Sequence, residues 1–136
     1  MTQWANSLIR LSTYEVETLQ KRLAEITTRR ASAEMRVAVL DAEAEIERER
    51  ARDDAQTAMF LPAYLKGWEL RRASAQATLD MVALEETGAR DALAEAFEAQ
   101  KKFEHVAELS RLSQLAAAAK RETAALDELA LRRARA

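Results

Sequence analysis

His105 is the chain's sole imidazole, and there is no cysteine. A lone histidine has no second nitrogen or sulfur donor with which to share a transition metal, so a zinc-type site is not expected. There is no glycine-rich phosphate loop, since the chain holds only two glycines. The 23 acidic residues alternate with 21 basic ones along the chain. General acid–base catalysis needs a carboxylate in a cleft that raises its pKa, and carboxylates on solvated helix faces have none. The expectation is therefore no catalytic residue, no cofactor and no metal, with His105 on the surface or at a seam edge. The chain reads as a non-enzyme.

The elements that would position any functional group are helices. Charged residues make up 32% of the chain, aromatics 5%, and glycine and proline together only three positions. Thirty of the apolar residues are alanine, which favours helix strongly but buries little area. Few large side chains remain for a thick core, and an extended coiled coil is the form that needs least. The net charge is −2 and the two signs are interleaved, which argues against a nucleic-acid footprint. No apolar run approaches a bilayer span, and the N-terminal stretch lacks a secretory signal pattern. A cytoplasmic location is expected, and the absence of cysteine fits a reducing compartment.

Residues alternate by three and four along the first half: Ile9, Ser12, Val16, Leu19, Leu23, Ile26, Arg30, Ala33, Val37 and Leu40. This heptad seam predicts a left-handed coil with a partner helix. Beyond Leu40 it thins to Ala44, Glu47, Ala51, Asp54 and Ala58. The second half carries Trp68, Ala75, Leu79, Val82, Ala89, Leu93, Ala96 and Phe103, then Leu109, Leu112, Leu115, Leu126 and Leu129 after a drift near residue 105. Gly88 is a candidate break into three helices, but no cap or proline accompanies it and one continuous helix is the main expectation.

Between the halves stands LPAYLKGW, residues 61–68, with the only proline. Pro62 suits the first turn of a helix and pushes Leu61 out of helical geometry, so the chain is expected to reverse there. The fold predicted is all-α: a long antiparallel two-stranded coiled-coil α-hairpin with a C-terminal helix overhang. It forms a single unit over residues 1–136, with helix 1 over about 4–58, the turn at about 59–63 and helix 2 over about 63–133. In that register Leu40 faces Leu79, Ile26 faces Leu93, Leu19 approaches Phe103, and Glu47 and Glu49 face Arg71 and Arg72.

Helix 1 then ends before helix 2 does. Residues from about 117 to 136 extend past it, some 30 Å at about 1.5 Å per residue, with Leu126 and Leu129 uncovered. Such an overhang is either a frayed tail or a helix awaiting a partner. Tyr64 and Trp68, four residues apart, share a helical face just past the turn, either closing the end of the seam or forming an exposed anchor.

The stretches WANSLIRLSTYEVETLQKRLAEITTRR, AYLKGWELR and KRETAALDELALRRAR resemble the FliJ family of flagellar type III export components, over nearly the whole chain. At the C-terminal end, Leu126, Asp127, Glu128, Ala130 and Arg133 are similar to the family's Leu-Asp-Glu, Ala, Arg ending. The resemblance implies an antiparallel coiled coil similar to the rotor subunit of F-type ATPases, without activity of its own. It also implies a place in the pore of the hexameric export ATPase, whose assembly it promotes, with contacts to the cytoplasmic domain of the export gate and to export chaperones. The protein would then lie in the cytoplasm at the inner-membrane export apparatus, peripheral to the membrane through partners only. The positions that best match the family's gate contact are Leu40, Tyr64 and Trp68. Glu43 and Glu47 stand where some relatives carry aromatics. Together with the length mismatch, the resemblance points to Leu126, Asp127, Glu128, Leu129, Arg132 and Arg133 as the ATPase-ring contact. The free protein is expected to be a monomer. A coiled-coil adaptor or homodimeric scaffold would share the heptads but leave Pro62 unexplained.

Overall fold

A computed structural model describes residues 2–136 as two helices, α1 over Thr2–Asp53 and α2 over Ala55–Arg135. They pair antiparallel as a helical hairpin, and no strand occurs among the described residues. Straight-chain residues and alanine fill both elements, and threonine hydroxyls such as those of Thr28 and Thr78 bond back to carbonyls four residues earlier. α2 runs unbroken through Gly88.

The reversal takes a single residue. Asp54 alone separates the helices, its N–H donating to the Arg50 carbonyl and its own carbonyl accepting from Ala58 N–H, both at 3.0 Å. Its carboxylate caps α2, accepting from Gln56 N–H at 3.1 Å and from the Thr57 hydroxyl at 2.7 Å. These bonds hold the Asp54 carboxyl below the ordinary aspartate range. Arg50 and Arg52 lie in the last turn of α1, where the helix dipole favours positive charge.

The turn thus stands earlier than the expected 59–63, and Pro62 lies inside α2 rather than at its start. An interior proline costs about 3 kcal/mol or more, because it removes one helix hydrogen bond and crowds the preceding turn. The local preference of Pro62 is outweighed by pairing summed along the helices.

Two compact units divide the chain. In residues 18–93, Ile26 packs with Val82 and Ala89, and Leu23 lies against them. Leu40, at 0% exposure, and Ala44 are the most deeply buried positions. Burying a leucine of this kind contributes about 1.5–3 kcal/mol. Charge pairs flank the apolar positions: Arg29 to Glu85 at 2.8 Å, Arg30 to Glu86 at 3.1 Å and Arg72 to Asp41 at 2.6 Å.

These partners correct the expected register. Ile26 sits between the levels of Val82 and Ala89 instead of facing Leu93, a shift of one heptad on α2. Leu40 meets Trp68 instead of Leu79. Arg72 pairs with Asp41, Arg71 lies over Tyr64, and Glu47 pairs within α1 with Arg50. The expected match of Glu47 and Glu49 with Arg71 and Arg72 is not formed. A shift of seven residues keeps the same side chains facing inward, so periodicity could not distinguish the two pairings.

The other unit joins the N-terminal residues through Glu17 to Ala94–Ala136. Ala5, Ser12 and Val16 of α1 and Ala96 of α2 are buried in it. The Gln100 side-chain amide donates to the Thr13 hydroxyl at 3.1 Å. Every residue of α2 from Arg111 onward is exposed, so the overhang begins several residues before the expected position.

Candidate functional site

Within residues 18–93, the turn-proximal positions Leu40, Tyr64 and Trp68 come together around the seam. Leu40 is closed off from solvent, so a partner can reach it only if the helices part. The Trp68 indole N–H donates to the Leu40 carbonyl at 2.6 Å, which ties α2 to α1. The Arg48 guanidinium stands 5.8 Å from the Trp68 ring centroid, and that of Arg71 stands 5.7 Å from the Tyr64 ring. Such cation–π stacking covers the ring faces and leaves Tyr64 and Trp68 half-buried. Trp68 lies against the seam at Leu40.

The open apolar surface near the turn lies on other residues. Phe60 is 62% exposed, Met59 73% and Leu70 75%. None stands on a seam position, and for that reason heptad reading passed over them. The signal that finds them is an apolar side chain out of phase with the stripe, which has no partner helix to cover it. Glu47, Asp54, Gln56, Thr57, Phe60, Leu61 and Tyr64 line a groove at the reversal.

Opposite charges hold the neighbouring faces. A hydrogen bond from Arg72, assisted by its charge, keeps the Asp41 carboxyl below its ordinary range. The Arg29 guanidinium does the same for Glu85. Glu86, with its side chain only 8% exposed, lies within reach of both Arg30 and Arg90, at 3.1 and 3.2 Å. This carboxylate went unremarked in the sequence, because it occupies a seam position where an apolar residue is the rule.

In the other unit, Leu126 and Leu129 are exposed on adjoining turns of the overhang, as are Leu112, Leu115 and Leu131. Glu128 and Arg132 pair at 3.2 Å along the helix, and Asp127 and Arg133 are exposed beside them. The six predicted ring-contact residues therefore form a surface of one helix without a covering element in that unit.

No cluster of metal-ligating side chains occurs among the described residues. His105 is exposed. Among the described residues no helix is long and apolar enough to cross a membrane.

No family model and no solved structure matches the chain. Curated relatives do. The flagellar FliJ proteins of two Caulobacter vibrioides strains, NA1000 / CB15N and ATCC 19089 / CIP 103742 / CB 15, are each 52% identical to it over 134 residues. The match covers 98% of this chain and 96% of each relative. Identity at that level over nearly the whole of both sequences cannot come from shared charged composition alone, and the chain belongs to the FliJ family of flagellar proteins.

Proposed function

We propose that the chain is a non-enzymatic component of flagellar type III protein export that engages the hexameric export ATPase through the α2 overhang. The observation that carries this reading is the run of α2 from Arg111 to its end, exposed at every residue yet studded with leucines. A soluble helix that keeps Leu112, Leu115, Leu126, Leu129 and Leu131 in water is built to be covered by a partner. A ring pore supplies a collar of apolar side chains. Arg132, Arg133 and Arg135 lie at the carbonyl end of the helix and can pair with acidic groups repeated around a ring.

At the turn, Phe60, Met59 and the flank of Tyr64 and Trp68 would meet the cytoplasmic domain of the export gate, with export chaperones as further partners. The protein would work in the cytoplasm at the inner membrane, attached through these partners and monomeric when free. Deleting residues 121–136 tests the ATPase arm. The truncated hairpin should stay folded and bind the gate but no longer stimulate ATP hydrolysis by the hexamer. Undiminished stimulation would place the ring contact elsewhere on the coil.

A further inference from the structure

Pro62 is the eighth residue of α2 counted from Ala55. Lacking an N–H, it leaves the Ala58 carbonyl without its helix partner. In the first turn of a helix the same proline would carry no such penalty. Moving the reversal from Asp54 to about residues 58–60 would put it there, and a hairpin moves its turn by that amount when one helix slides past the other by one heptad.

The seam permits that slide. Both helices repeat with the same seven-residue spacing, so every inward residue stays inward. The slid pairing keeps apolar layers at the seam but breaks the ion pairs that flank it here. Leu40 leaves Trp68 for Leu79, and Ile26 leaves the level between Val82 and Ala89 for Leu93. Arg72 leaves Asp41 for the level of Glu47. The contacts particular to the register seen here are three ion pairs, Arg29 with Glu85, Arg30 with Glu86 and Asp41 with Arg72, and the bond from the Trp68 indole to the Leu40 carbonyl.

The junction offers a short path between the two. Asp54 is the single non-helical residue between the helices, and helix-type hydrogen bonds already run into and out of it. Lengthening α1 at the expense of α2 requires the backbone to change at one position at a time.

We propose that residues 18–93 possess two registers one heptad apart, one held by these ion pairs with its turn at Asp54 and one with its turn just before Pro62. The slide carries Met59 and Phe60 out of the first turns of α2 and into the reversal. A partner that grips those two side chains therefore biases the register. Ionic strength biases it too, because salt weakens the exposed charge pairs and leaves the leucine layers intact.

Paired cysteines in the full chain report the two states. Ala33 and Ala75 line one groove, so Ala33→Cys with Ala75→Cys cross-links the register seen here. Ile26 lies between the levels of Val82 and Ala89, so Ala33, one heptad on, lies between those of Ala75 and Val82, and Ala89 stands about 15 Å farther along α2, beyond the roughly 7 Å that a disulfide allows between α-carbons. Under thiol–disulfide exchange, Ala33→Cys with Ala89→Cys should nonetheless close within one chain, with a yield that rises in 1 M NaCl because salt weakens the ion pairs of the register seen here. Adding Pro62→Ala should cut that yield several-fold, since it removes the reason to move the turn. Absence of the Ala33–Ala89 cross-link at every salt concentration, or a yield indifferent to Pro62→Ala, overturns the proposal. A second readout leaves the core untouched: spin labels on exposed Met35 and Leu70 should show two distance populations that collapse to one with Pro62→Ala. A single population in the unaltered hairpin overturns it equally.

Discussion

The Trp68 indole N–H donates to the carbonyl of Leu40 at 2.6 Å, joining the largest ring of α2 to a fully buried leucine of α1. This bond, with the ion pairs of Arg29, Arg30 and Arg72, sets the axial level of the two helices at the place where the seam turns from leucine to alanine. The ring also covers Leu40, and Arg48 covers the ring.

Trp68→Phe keeps most of the ring area but removes the donor, and it should lower stability by about 0.5–1.5 kcal/mol. Leu40→Ala opens a gap in the same layer and should cost about 2–5 kcal/mol. Urea unfolding followed by helical circular dichroism gives both values. Equal, small effects would mean that this layer does not anchor the hairpin.

Gly67 and Gly88 stand inside α2, and a Cβ added at either meets nothing within 4 Å. Gly88→Ala should therefore stabilise the chain by about 0.5–1 kcal/mol, chiefly by restricting the unfolded backbone. Gly67→Ala should add a similar amount, because positions so far apart act independently. A loss of stability from either substitution in thermal unfolding would show that the helix needs the glycine.

Asp41 and Glu85 have folded-state pKa values below their ordinary ones, caused first by hydrogen bonds from Arg72 and Arg29. A depressed carboxylate stabilises fully above its unfolded pKa of about 4 and loses that contribution as pH falls through the lower folded value. The melting temperature should be flat near neutrality and fall in acid below that range. The double variant Asp41→Asn, Glu85→Gln should begin lower at neutral pH and show a shallower acid slope. Slopes that match the unaltered chain would remove these pairs as the cause.

Leu126→Ser with Leu129→Ser alters two side chains that are 61% and 55% exposed and covered by nothing in their unit. The melting temperature should change little, within about 0.5 kcal/mol of stability. Stimulation of the export ATPase should fall sharply. A large loss of helicity would instead assign these leucines a structural role.

Much of this architecture is written in local chemistry. Alanine, glutamate, arginine and leucine at helical spacing make α1 and α2 helices whatever their surroundings, and the shortage of large side chains leaves two strands of coil as the economical way to bury them. The unequal lengths on either side of a single reversal leave part of α2 uncovered, so the overhang was legible as well. The side of the seam on which Leu40, Ile26 and Val82 lie follows from the heptad.

The level at which they meet does not. The level opposite Leu40, between Trp68 and Ala75, and that of Leu79 lie about one heptad apart on the same face of α2, so the stripe is satisfied by either, and Pro62 taken alone favours the wrong one. The choice falls to contacts between residues distant in sequence: Arg29 with Glu85, Arg30 with Glu86, Asp41 with Arg72, and the Trp68 indole on a backbone carbonyl. No local window contains both members of any of these pairs. The same register sets the turn at Asp54, buries Leu40, and leaves Phe60 and Met59 in water, because sliding antiparallel helices relocates the reversal and everything beside it.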